Sequence, residues 1–192
     1  GFMHSIMRWR IENLELFPKR GPAILAANHI TNWDGIVAYI TFPRQLYIMA
    51  KEELYRNAFL RAALMALGVF PVSRGTMDWN SLEQAKLVLQ AGNVLGIFPE
   101  GTRSKGRGLL PAKLGMAYIA RETGIPIYPM AIYDTSEIFT HFPRRANVTM
   151  HICEPVMPGG GNSLRQTTDA VMEAIAAVLP EDMRGAYGQV AA

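Results

Sequence analysis

Two short stretches of this sequence hold side chains suited to acid–base and anion chemistry at close spacing. The first is Asn28-His29-Ile30-Thr31-Asn32-Trp33-Asp34. A histidine can take up a proton near neutral pH. A carboxylate on its other ring nitrogen fixes the tautomer and stabilises the imidazolium that forms. Four residues lie between His29 and Asp34, so a chain that turns into a helix there brings Asp34 back under the ring. The second stretch is Phe98-Pro99-Glu100-Gly101-Thr102-Arg103-Ser104. Gly101 permits a tight turn with exposed backbone amides, and Thr102 and Ser104 add hydroxyls. Arg103 can clasp a phosphate through two parallel hydrogen bonds, while Glu100 can hold Arg103 or another site residue in place. Lys105 and Arg107 extend the positive character at positions expected to be plain solvated surface.

Two further blocks are less reactive. Gly68-Val69-Phe70-Pro71-Val72-Ser73-Arg74-Gly75 reads as a strand running into an arginine, and Ile125-Pro126-Ile127-Tyr128-Pro129 is apolar and stiff. The latter holds no acid–base group and is expected to shape a wall. Lys51 opens a helical stretch and is either a further anion ligand or a surface residue. No Gly-x-Ser-x-Gly elbow occurs. The single cysteine, Cys153, lies far along the chain from His29 and reads as a small buried hydrophobe. His4, His141 and His151 have no ligand spacing among themselves or with Cys153, so no metal site is expected.

These blocks need a frame that brings strand ends together. Apolar strands are expected at residues 23–27, 46–50, 69–72, 94–98, 125–132 and 148–153, with the prolines making 125–132 irregular or exposed on one edge. Helices are expected at 35–41, 51–67, 113–123 and after Ser163. Another follows Asn80 or Ser81, which can cap it. This alternation predicts one α/β domain, a mixed, largely parallel sheet covered by helices on both faces. Both reactive stretches then fall at carboxyl ends of strands, where open α/β sheets bind ligands. Apolar residues make up 49% of the 192 and charged residues 18%, which excludes a disordered chain. A net charge of +3 excludes the usual nucleic-acid binder but suits an anionic substrate or membrane surface. No run reaches the ~18 apolar residues of a spanning helix. Residues 1–20 form a leading segment ahead of a domain at 21–192. Within it Phe2, Met3, Ile6, Met7 and Trp9 either line a short interfacial segment, with Arg8 and Arg10 at headgroups, or pack on the domain.

The four blocks, in this order, resemble the glycerolipid acyltransferase family that includes 1-acylglycerol-3-phosphate acyltransferases. His29 and Asp34 match its first motif, Arg74 its second, residues 98–103 its third without substitution, and residues 125–129 its fourth. Lys51-Glu52-Glu53-Leu54 and Arg10-Ile11-Glu12-Asn13-Leu14 also look like family features, so the resemblance runs over roughly residues 10–156. It implies a glycerol-phosphate-acyltransferase-like fold and direct transfer without an acyl-enzyme. His29 would be the base and Asp34 its orienting partner. Arg74 and Arg103 would hold the acceptor's phosphate, Glu100, Gly101 and Thr102 would shape that pocket, and Lys51 would be a further phosphate ligand. The implied partners are a lysophospholipid, acyl-CoA or acyl carrier protein as donor, and the cytoplasmic face of a membrane, with no nucleic acid and no cofactor. Glycerol-3-phosphate or another lysolipid is the alternative acceptor. A non-catalytic lipid-phosphate-binding domain is the reading from another class, and it would not need His29 and Asp34 together.

Overall fold

The computed structural model describes residues 7–72, 79–140 and 145–188. Its elements in chain order are β1 (Met7–Glu12), β2 (Ala23–Ala27), α1 (Trp33–Thr41), β3 (Leu46–Lys51), α2 (Ala58–Ala66), β4 (Val69–Val72), α3 (Trp79–Gln90), β5 (Val94–Ile97), α4 (Gly115–Thr123), β6 (Ile127–Tyr133), α5 (Glu137–Thr140), β7 (Ala146–Ile152) and α6 (Leu164–Val178). The strands make one sheet in the order β1-β7-β6-β2-β5-β3-β4. Strands β2 to β6 run parallel, β7 is antiparallel to β6, and β1 runs parallel to β7. The expected mixed, largely parallel sheet is therefore present.

All of β2 is buried, as a continuous apolar run covered on both faces requires. Successive side chains of a strand point to opposite faces, and β2 divides accordingly. Ile24 and Ala26 pack with Leu82 and Leu89 of α3, Ile119 of α4 and Ile175 of α6. Ala23, Leu25 and Ala27 pack on the other side with Val37 and Ala38 of α1 and Ile138 of α5. Each fully buried Val, Leu or Ile side chain among these contributes roughly 1.5–3 kcal/mol. β2 and β5 are neighbours, in register from Ala23↔Val94 to Ala26↔Ile97. Yet β2 leads to α1 on one face and β5 to α4 on the other. Connections that diverge from adjacent strands open a crevice at their carboxyl ends, and both reactive stretches leave the sheet there.

Several expectations change. The helix expected over 51–67 is a 3-10 segment, Glu52–Arg56, followed by α2. Asn80 and Ser81 lie inside α3, which begins at Trp79, so neither is its cap. Ser163 does cap α6, accepting from the Gln166 amide while the Gln166 side chain accepts from the Ser163 amide. β6 is not at an edge, since it lies between β2 and β7 and is almost wholly buried, but its pairing is irregular at Pro129. It tolerates Pro129 because the ladder to β7 is broken there. Met130 pairs Ile152, whereas Ile127 meets Val156, so three steps along β6 face four along its partner. The missing N–H falls in this bulge, and the Pro129 carbonyl still accepts from the Cys153 amide at 2.9 Å. Cys153 is buried as expected, and burial pushes its thiol up to about 11. At the amino terminus, Met7 is buried in β1, and Trp9 and Ile11 pack against the core. These three residues therefore take part in the packing of the sheet. Phe2, Met3 and Ile6 lie outside the described residues.

Candidate active site

The site is assembled from the segments that follow β2 and β5. Asn28 continues β2 by one residue and is buried. Its side chain donates to the Ile132 carbonyl at 2.8 Å and accepts from the Ile132 amide at 2.7 Å, so it ties the strand end to β6 as a backbone group would. His29 comes next, where the chain has left the sheet. Its amide donates to Glu100 Oε1 at 2.7 Å and its carbonyl accepts from the Ser104 amide at 2.7 Å. The residue is thus gripped on both sides of its backbone by the other reactive loop.

Asp34, in the first turn of α1, is fully buried. Its Oδ2 lies 2.9 Å from His29 Nδ1 and accepts the amides of Ile30 (2.6 Å) and Thr31 (2.8 Å). Its Oδ1 accepts the hydroxyls of Thr31 and Thr135. Five donors on one carboxylate hold it in place. An acceptor on Nδ1 places the imidazole proton there and leaves the Nε2 lone pair free to receive another. The His29 side chain keeps 16% of its surface exposed. The Phe98 ring stacks on it with centroids 4.2 Å apart and planes 23° from parallel. This fixes the plane of the ring.

Glu100 does not hold Arg103. It is buried, and its carboxylate turns inward, with Oε1 on His29 and Oε2 accepting the Leu110 amide at 2.8 Å. Burial pushes its carboxyl above the usual glutamate range. The Leu110 and His29 amides and the His29 charge oppose that shift, and Asp34 adds to it. Glu100 is therefore a positioning residue, turned away from any anion in the crevice. Gly101 has φ 67°, a left-handed conformation that glycine takes without cost. Thr102 is exposed on the turn. Arg103 Nη1 donates to Asn32 Oδ1 at 2.7 Å, and the Lys105 amide donates to the Ile30 carbonyl at 3.2 Å. The two loops are thereby joined along their length.

His29, Asp34, Glu100, Gly101, Thr102 and Arg103 therefore share one end of the crevice. Lys51 closes β3 at the same edge of the sheet, and Arg74 lies outside the described residues. Sequence reasoning missed Thr135. A threonine 101 positions from its partner carries no local signal, and only the return of β6 beside β2 brings it there. Among the described residues no group of three or more His, Cys, Asp or Glu side chains is arranged to hold a metal.

The acyltransferase family model matches residues 8–133. The chain is 34% identical over 127 residues to a 1-acyl-sn-glycerol-3-phosphate acyltransferase of Borreliella burgdorferi, covering 65% of this chain and 51% of that protein. It is 28% identical over 152 residues to the like-named Bacillus subtilis protein, covering 77% and 73%. For the Escherichia coli protein the figures are 31% over 119 residues, 60% and 49%. The chain thus spans about half the length of the Borreliella and Escherichia relatives. It also superposes on the crystal structure of the 1-acyl-sn-glycerophosphate (LPA) acyltransferase PlsC from Thermotoga maritima. The TM-score is 0.75 at 28% identity, with 92% of this chain and 73% of that one covered. With the family model matching most of its length and the reactive loops meeting as described, this chain belongs to the acyltransferase family.

Proposed function

We propose that the chain transfers a fatty acyl group from an acyl thioester to the free hydroxyl of 1-acylglycerol-3-phosphate, giving phosphatidic acid. The observation that carries this reading is the 2.9 Å bond between His29 Nδ1 and buried Asp34, beside a loop bearing Arg103. The relatives' names supply the acceptor. His29 Nε2 takes the proton of the acceptor hydroxyl as its oxygen attacks the thioester carbonyl. The C–S bond breaks as the ester forms, and the leaving sulfur takes the proton from the imidazolium. Asp34 balances the charge that the ring carries in between. The step as written uses no cofactor or metal. Coenzyme A and acyl carrier protein both fit as donor, because each presents the same thioester.

The substrate is a lipid, and the surface of α2 supports work at a membrane. Ala58, Phe59, Ala62, Met65 and Ala66 are all exposed, Phe59 at 87%, with Arg56 and Arg61 exposed beside them. An apolar helix face flanked by cations suits an anionic lipid surface. Among the described residues no helix is long and apolar enough to cross one.

The test is acyl transfer to lysophosphatidate by the wild type and by His29→Ala, with each donor supplied separately. Phosphatidate from the wild type and a loss of about 10²–10⁴-fold in the variant, with acceptor binding kept, is the expected result. Equal rates would sink the base assignment. Absence of product with both donors, alongside turnover of glycerol-3-phosphate, would move the reading to that acceptor.

A further inference from the structure

We propose that Lys113 is a second cation for the acceptor's phosphate, held over Gly101 so that it and Arg103 flank the same turn. The inference rests on the acyltransferase reading above and adds to it a residue that none of the four motifs contains.

The backbone leading to Lys113 is fastened to the loop that follows β5. The Leu110 amide donates to Glu100 Oε2 at 2.8 Å, and the Lys113 amide donates to the Pro99 carbonyl at 2.9 Å. From the other side, the Ala112 amide donates to the Tyr187 hydroxyl at 3.1 Å. From this anchored position the lysine stem lies directly on Gly101. A Cβ built there would fall 2.9 Å from Lys113 Cε, 3.1 Å from Cδ and 3.2 Å from Nζ. Any other residue at 101 would have to displace the lysine. The left-handed backbone favours glycine at 101, and a side chain there would push the flexible end of the lysine off the turn.

The charge on Lys113 is also available. Among the described residues its ammonium makes no ion pair or hydrogen bond. The nearest carboxylate in sequence to the turn, Glu100, faces inward with both oxygens already accepting amides. Lysine binds phosphate as a compact point charge on a flexible stem, whereas arginine supplies a planar fork. Packing on the turn restricts that stem before substrate arrives. Arg103, tethered to Asn32, supplies the fork from the far side of Thr102. A phosphate on the exposed side of the turn would meet both cations.

The experiment compares wild type, Lys113→Met, Lys113→Arg and Gly101→Ala. Equilibrium binding of lysophosphatidate and of 1-monoacylglycerol, the same lipid without phosphate, is measured alongside steady-state transfer. Losing one charge-assisted contact is expected to weaken lysophosphatidate binding about tenfold in Lys113→Met. Binding of 1-monoacylglycerol and KM for the donor should stay put. Lys113→Arg should recover most of the loss. Gly101→Ala should weaken lysophosphatidate binding in the wild type and add little in the Lys113→Met background, since both changes remove the same contact. Lysophosphatidate binding within twofold of wild type in Lys113→Met overturns the proposal, even if transfer proceeds and the acyltransferase reading stands. Lys113-dependent binding without transfer would keep the phosphate site and overturn the reaction. A wild type that neither binds nor acylates lysophosphatidate overturns both.

Discussion

At the scale of single residues, the chemistry of the site depends on how tightly Asp34 is held. Its carboxylate receives five donors, and the ring of His29 is only one of them. Asp34→Asn keeps the shape but turns an amide group toward donors and no longer stabilises an imidazolium. Transfer should fall by about 10²–10⁴-fold with little change in acceptor KM, as steady-state kinetics would reveal. Thr135→Val is the subtler test. It removes one buried hydroxyl from Oδ1 and is expected to lower kcat about tenfold, whereas Thr135→Ser, which restores the donor, should recover it. If the valine variant turned over at the wild-type rate, the amides of Ile30 and Thr31 would suffice to hold Asp34.

At the scale of elements, strands deliver the reactive groups and helices keep the strands covered. α6 lies on the face of the sheet away from α1, and its capping box at Ser163 and Gln166 satisfies amides that the helix cannot pair internally. Ser163→Ala should cost about 1 kcal/mol of stability, read from the urea midpoint, with transfer unaffected. The edge of the sheet is held differently. β1 ends with Glu12, whose carboxylate accepts from His151 Nδ1 at 2.8 Å and pairs with Arg10 at 2.9 Å. The hydrogen bond from His151 holds the Glu12 carboxyl below its ordinary 4.5, with burial opposing and the Arg10 and His151 charges assisting. A carboxyl lowered by folding stabilises the fold above its unfolded value, and that contribution is lost as pH falls through the folded value. Glu12→Gln should therefore be less stable than wild type above pH 4.5 and converge with it in stronger acid. Urea unfolding at a series of pH values would read this, and a gap that persisted in strong acid would assign the effect to packing of β1.

For the whole molecule, the proposed function raises the question of how a domain with a buried sheet would meet a lipid. The exposed face of α2 is apolar where the other long helices bury theirs. Phe59→Asp combined with Met65→Asp should reduce the fraction that sediments with anionic vesicles several-fold, while the unfolding midpoint stays near that of the wild type. Raising salt should release the wild type in part, since screening weakens the contribution of Arg56 and Arg61. Unchanged sedimentation of the double variant would assign the lipid contact to another surface.

Much of this molecule is legible in its sequence because the signals are local. The strands β2 to β5, the helix after His29 and the cap at Ser163 follow from periodicity, turn residues and capping chemistry within a few positions. The pairing of His29 with Asp34 is local too, since one turn of helix closes it. What the sequence leaves open depends on contacts between distant segments. Pro129 reads as an edge or a flaw until the bulge opposite it is known, and that bulge is set by residues 152–156. Glu100 reads as a partner for Arg103 or for another site residue, without saying which. It becomes the clamp on His29 only because β2 and β5 are neighbours, which places its carboxylate on an amide 71 positions away. Thr135 joins the site because β6 returns beside β2. Local chemistry determines which residues can react and on which elements they sit. The order of the strands decides which of them meet, because neighbours in a sheet are chosen by packing across the whole core and not by distance along the chain.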